Sequence, residues 1–397
     1  MTEAIKWPKW PIYGEEELEA ITRVLKSNQL FAAGEVRSLE EKFAQFQDMN
    51  FAVGVGNATQ ALHLALAALN IGQGDEVIVT PCTWISSASC ILMQNAVPIF
   101  CDIESDTLGI NPELLSEQIT SRTKAIILVH ILGYPAQVDK VFEIASKYSI
   151  PVIEDASHAP GATFDGKKIG SHGAIGVFSF QQRKAISTGD GGIIVTNDKH
   201  VADKIRRLRS FGDSELSYNY RMTEFAAALG KIGLSRLNEQ NSLREQNALY
   251  LASLLSNEDW IRVRIEQRPN VRSVYYAIAL DLNITDEKST ILIERLLNAD
   301  FPVRKMFSPL NRHPHFRSWP IAARGLPWLH HEYNGKASEI PYENLQLPVA
   351  EEYCNGRIIE LYVHPPATFE HLDSFADFLR KTYRELVTSD ADRRSNW

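Results

Sequence analysis

Between residues 51 and 153, short apolar runs alternate with segments patterned as helices. The runs are 51–56, 76–80, 97–101, 125–129 and 150–153. Helical spacing marks 57–69, where Leu62, Leu66 and Leu69 share a face, and also 85–95 and 138–148. Strands that alternate with helices form a largely parallel sheet, with helices covering both faces. Ligands of such sheets bind beyond the carboxyl ends of the strands. Asn57 to Thr59, Trp84, Asp155 and, after a further run at 174–180, Ser179 all fall at or just after strand ends.

The stretch 150–192 holds the densest chemistry. Its opening strand ends on two acids, Glu154 and Asp155. A turn-rich passage with His158 follows, then the second apolar run, then Lys184 with Gly189, Gly191 and Gly192 just beyond. A carboxylate at a strand end and a lysine on a following loop suit an electron-sink cofactor. The acid keeps a pyridine nitrogen protonated, and the amine attaches covalently to the aldehyde. Side chains alternate along a strand, so only one of Glu154 and Asp155 faces such a ligand. Arg183 is no substitute for Lys184, because a guanidinium stays protonated.

The run EDASHAPGA…GVFSFQQRKAISTGDGG resembles the DegT/StrS family of sugar aminotransferases, and the resemblance extends from Trp7 to about Tyr383. It implies an α/β, fold type I transferase dependent on pyridoxal 5'-phosphate (PLP), like aspartate aminotransferase. It implies PLP covalent at Lys184 and a ring nitrogen paired with Asp155. By the same resemblance the Ala58 N–H, the Thr59 hydroxyl and Ser179 take the phosphate. Trp84 stacks on the ring, and His158 meets the ring hydroxyl. Asn219, in an N-x-R-M match at 219–222, reaches the phosphate of a second subunit, which implies an obligate homodimer with shared sites. The donor implied is L-glutamate. The acceptor implied is a keto sugar, nucleotide-linked in most relatives, for surface polysaccharides or secondary metabolites. The KWPKWPIY opening and the SFQQRK run also resemble members acting on keto-cyclitols. Relatives that dehydrate sugars carry His in place of this lysine, so Lys184 favours transamination. This chain departs from the family pattern at Ala58, usually Gly, at Pro160, where many members carry His, and at Asn311, usually His.

Other readings fall away on the residues. Gly54-x-Gly56 lacks the third glycine of a dinucleotide fingerprint, and Asp75 precedes a strand rather than ending one. A net charge of −8 provides no basic footprint for nucleic acid. The histidines of segment 310–320 have no acid or cysteine at metal-ligand spacing, so no metal is expected. That segment resembles a family loop near the substrate. Cys82, Cys90, Cys101 and Cys354 show no C-x-x-C spacing and fit a reducing cytoplasm. The N-terminus has no apolar leader pattern. Loss of Lys184 or Asp155 would signal a silent binding scaffold, and both are present.

The expected organisation is a large PLP-binding domain with an N-terminal arm over 1–254. A smaller α+β domain over 255–390 and a disordered tail over 391–397 follow. Within the first, helices are predicted from Glu15 to Lys26, with Leu18, Ile21, Val24 and Leu25 on one face, and from Glu224 to Leu254.

Overall fold

The computed structural model describes residues 6–31, 33–212, 216–316, 326–331, 333–335 and 342–394. An extended arm leads into α1 (Glu15–Ser27) and α2 (Gly34–Phe46). The first sheet takes β1 (Phe51–Val55), β2 (Glu76–Val79), β3 (Val97–Phe100), β4 (Thr123–Val129) and β5 (Val152–Asp155). A short ribbon follows, β6 (Thr163–Phe164) and β7 (Lys167–Lys168), and then β8 (Ile175–Ser179) and β9 (Gly192–Thr196) rejoin the sheet. The helices along this half are α3 (Ala58–Ala68), α4 (Ser86–Met93), α5 (Pro112–Gln118) and α6 (Val138–Lys147). They are followed by α7 (Lys199–Arg209) and the long α8 (Glu224–Leu254).

The sheet order is β1-β9-β8-β5-β4-β2-β3. Only β9 runs against the others, paired antiparallel to both β1 and β8. Strands β2, β3, β5, β8 and β9 are buried at every residue, as a sheet covered on both faces requires. Alternation feeds two cores. Ile194 joins the cluster that continues into the C-terminal half, while Ile193 and Val195 join the one beneath α2 and α8.

The rest of the chain builds a smaller antiparallel sheet, ordered β10-β12-β14-β13. Its elements are β10 (Ile261–Val263), β11 (Val271–Arg272), β12 (Ile278–Leu282), α9 (Asp286–Asn298), β13 (Val303–Lys305), α10 (Pro348–Glu352), β14 (Ile358–Leu361) and α11 (Phe369–Arg394). Of these, β11 leaves the small sheet and pairs with β6. Among the described residues no helix is long and apolar enough to cross a membrane.

Several expectations shift. The fifth strand starts at Val152, not Ile150, because the Ile150 amide bonds to the Ala145 carbonyl and closes α6. Both acids therefore lie within the strand. Helix α11 runs to Arg394, so 391–394 are helical rather than tail, and 395–397 lie outside the described residues. The apolar face of α1 is only partly covered. Ala20 and Val24 pack against Ala228 and Ile232 of α8, while Leu18 and Leu25 are 60% and 59% exposed.

Glu154 and Asp155 share β5 and point apart. Glu154 is buried and accepts from the amides of Gly170, His172 and Gly173 at 2.9, 2.7 and 2.6 Å, and lies 3.2 Å from His130 Nε2. Burial opposes its charge, but His130 and the amides outweigh that and hold its pKa low. The loop so gathered crosses β8 at Gly176, where a Cβ would run into the Gly170 carbonyl. Gly176→Ala is therefore expected to destabilise the fold by about 2–4 kcal/mol, as overpacking against backbone does. Urea unfolding would check this, and a change within about 0.5 kcal/mol would contradict the close contact.

Candidate active site

A cavity of about 620 Å³ opens at the carboxyl ends of the parallel strands. One wall comes from the first sheet and its loops: Ala58, Thr59, Trp84, Asp155, His158, Ser179 and Lys184 all line it. The opposite wall comes from the small sheet and the segments beside it, through Tyr276, Arg304, Phe307 and Tyr362.

The turn after β1 delivers the N-terminus of α3. Asn57 caps it, its Oδ1 accepting from the Gln60 amide at 2.9 Å. The amides of Ala58 and Thr59, both on the cavity wall, have no acceptor within the helix. Thr59 Oγ1 lies 2.6 Å from Ser86 Oγ. This cluster of amides and hydroxyls at a helix N-terminus suits an anion. The turn is tight: a Cβ on Gly192 would come within 2.6 Å of the Asn57 backbone.

Asp155 ends β5 facing the cavity. Ser87 Oγ donates to its Oδ2 at 2.8 Å, and the Ser157 amide donates to Oδ1 at 3.2 Å. His158 is buried, stacks on Tyr276 with centroids 4.2 Å apart, and its Nδ1 accepts from the Leu132 amide at 3.2 Å. Burial, with Lys184 and Arg304 nearby, keeps this imidazole neutral. Its Nδ1 is an acceptor, so the proton lies on Nε2.

Lys184 Nζ lies 4.9 Å from the Tyr276 ring centroid. Burial lowers its pKa to about 8, with Asp155 and Glu360 pulling upward and Arg304 downward. An ordinary lysine is neutral only above about pH 10.4. Behind Tyr362, buried Glu360 accepts from the Tyr362 hydroxyl at 2.6 Å, and burial raises its pKa to about 7. The Arg304 guanidinium sits over Phe307 at 4.0 Å and makes no ion pair among the described residues. Trp84 stands edge-on to Phe307 and is 53% exposed.

Asn219 does not line this cavity. It is exposed, in the left-handed region at φ 62°, between Tyr218 and Tyr220, whose amides bond to Leu208 and Arg209 carbonyls. His313 and His315 pack on each other and also lie off the cavity wall. Residues 317–320 of that loop lie outside the described residues. Among the described residues no group of three or more His, Cys, Asp or Glu is placed to hold a metal ion. Sequence reasoning missed Ser86 and Ser87, although they follow Trp84 directly after a strand end. It also missed Tyr276, Arg304, Phe307 and Tyr362, which carry no motif.

These groups fit PLP. The helix N-terminus and hydroxyls suit its phosphate, a carboxylate suits its ring nitrogen, and a lysine of lowered pKa suits its aldehyde. The comparisons agree. An L-glutamine:2-deoxy-scyllo-inosose aminotransferase of Streptomyces kanamyceticus is 34% identical over 336 residues, covering 78% of this chain and 79% of that one. A 3-amino-5-hydroxybenzoate synthase of Amycolatopsis mediterranei is 32% identical over 338 residues, covering 81% of this chain and 86% of that one. The solved aminotransferase from Psychrobacter cryohalolentis superposes with a TM-score of 0.86 at 29% identity, over 96% of this chain and 99% of that one. Such likeness makes the architecture that of a fold type I PLP-dependent transferase. Residues 11–328 match the model of the DegT/DnrJ/EryC1/StrS aminotransferase family. The chain belongs to that family, and is a PLP-dependent aminotransferase.

Proposed function

We propose that this aminotransferase moves an amino group from L-glutamate or L-glutamine onto a ketone of a polyhydroxylated ring, with a keto-cyclitol as the favoured acceptor. The observation that carries the chemistry is the buried amine of Lys184 sharing one cavity wall with Asp155. The relatives named for 2-deoxy-scyllo-inosose favour the cyclitol. A nucleotide-linked keto sugar is the second reading. Arg304 and the exposed Arg183 at the rim, neither ion-paired among the described residues, are placed for a diphosphate.

In this reading Lys184 holds PLP through Nζ, and Asp155 meets the ring nitrogen. Ala58, Thr59 and Ser179 would take the phosphate, Trp84 would stack on the ring, and His158 would meet the ring hydroxyl. When bound, PLP supplies the electron sink that lets an amino group leave one carbon skeleton and join another. Once an incoming amino group has displaced it from the cofactor, Lys184 Nζ, neutral in good part near pH 8, would take a proton from the substrate carbon and return it nearby. Ser87 and the Ser157 amide keep Asp155 aimed at the cavity. Tyr276, stacked on His158, closes the wall against water.

We further infer a homodimer in which Asn219 serves the partner's site. Its exposure at a strained, well-anchored turn supports this, as do the uncovered Leu18, Leu25, Phe31 and Phe211. The four buried free thiols fit a cytoplasmic setting.

The primary test is spectroscopic. The purified protein should absorb near roughly 420 nm and exchange that band for one near roughly 330 nm with L-glutamate or L-glutamine. Return of the first band on adding 2-deoxy-scyllo-inosose would support the cyclitol, and return only with nucleotide-linked keto sugars would support the second reading. Indifference to both donors would refute the donor assignment. Lys184→Ala should lower turnover by about a thousandfold or more, and substantial steady-state activity would remove Lys184 from its role. Asp155→Asn should cut the donor half-reaction by about a hundredfold, because the ring-nitrogen charge is lost, and near-parental rates would argue that the acid does not meet the ring. Asn219→Ala protein mixed with Lys184→Ala protein should regain activity through hybrid dimers. Inactive hybrids of verified composition would count against a shared site.

A further inference from the structure

The arm before α1 carries an aromatic residue at every third position, Trp7, Trp10 and Tyr13. Each touches a different part of the body. Trp7 stands edge-on to Phe301 and Phe375, with centroids 6.0 and 6.4 Å away. Tyr13 Oη lies 3.0 Å from Ser187 Oγ, on the loop just past Lys184. Trp10, between them, reaches the backbone of Lys184 itself. Its indole N–H donates to the backbone carbonyl of Lys184 at 3.1 Å, joining residues 174 apart in sequence.

Trp10 is itself seated on a buried polar pair. Its ring stacks on His364, with centroids 4.8 Å apart and planes at 22°. Arg244, fully buried on α8, donates from Nε to His364 Nδ1 at 3.1 Å and from Nη1 to Asn241 Oδ1 at 2.8 Å. Its guanidinium carbon lies 5.6 Å from the Trp10 ring centroid. No carboxylate pairs with Arg244 among the described residues. A buried cation persists only where neighbours replace water. Here His364, Asn241 and the face of the Trp10 ring do so in part, while Nη2 has no hydrogen-bond partner among the described residues. Asn241 Nδ2 also donates to the Pro160 carbonyl at 2.9 Å, two residues past His158. One buried chain of contacts therefore runs from the His158 loop through α8 to the Lys184 peptide, and the arm closes it.

We propose that Trp10 is a positioning residue: its indole N–H, seated on the His364–Arg244 pair, fixes the peptide of Lys184 and so the placement of the lysine amine in the cavity. The inference takes Lys184 as the reactive amine, as in the reading above, but its central test does not need the cofactor.

Trp10→Phe keeps an aromatic face against His364 and removes the N–H together with the five-membered part of the indole. The test follows acetylation of Lys184 Nζ against pH in the full-length protein without PLP, read by peptide mass spectrometry. That amine faces Asp155 from β5, Glu360 from β14, Arg304 from β13, and the His158 and His364 rings. In the parent, labelling should rise with pH through about 8. In Trp10→Phe the midpoint should climb by about half a unit or more, as the loosened amine gains water. In the loaded enzyme the donor half-reaction should slow about fivefold at nearly constant half-saturation. Trp10→Ala, which also removes the ring, should shift the midpoint further in the same direction. Parental values in Trp10→Phe overturn the proposal, and so does a shift confined to Trp10→Ala, which would credit the ring rather than the hydrogen bond. Borohydride reduction that traps PLP on a residue other than Lys184 would remove the functional reading, while a labelling shift would still support the anchoring by Trp10.

Discussion

Everything in the site depends on the opposed directions of Glu154 and Asp155. Two adjacent carboxylates on one buried strand would repel if they shared an environment. The pleat separates them. Glu154 gathers three loop amides and His130 on one face. Asp155 stands on the other, where its carboxylate accepts from Ser87 and the Ser157 amide and faces Lys184. The first acid is consumed by the fold, and that leaves the second available to a ligand. The glycines at 170 and 176 belong to the same arrangement, because the amides reach Glu154 only if the loop can lie directly on β8.

Much of this was legible in the sequence because strand ends are chemically marked. The parallel strands carry compact apolar runs, and polar residues of unusual type follow them. That pattern located Asp155, Trp84, Ser179 and the α3 turn, all on the cavity wall. Alternation along a strand said that one of two acids must face away, though it could not say which. The contacts of Glu154 now supply the physical reason for choosing Asp155.

The opposite wall was not legible. Tyr276, Arg304 and Tyr362 arrive from an antiparallel sheet whose strands are short and whose partners lie far along the chain. Nothing local marks them, since their role comes from cross-strand register, as where Arg304 lies opposite Glu360. Helix α1 was legible, but which of its apolar residues are covered was not, for a related reason. Leu18 and Val24 look alike in a periodic pattern, but only a neighbour such as Ile232 decides which is inside. Asn219 likewise had a sequence match without a location, and its own cavity does not receive it.

The two-walled cavity has a consequence for how such enzymes diversify. The cavity-wall groups assigned to the cofactor all come from residues before 190, at the strand ends of the first sheet and the loops after them, with Asn219 assigned to the partner's site. The wall facing them comes from residues after 275. Substitutions on the second wall can reshape the space offered to an incoming ring without disturbing the first. Drift in acceptor preference is thus partly uncoupled from loss of the underlying chemistry. A lineage that changes the second wall keeps a competent catalyst at each step while its acceptor changes.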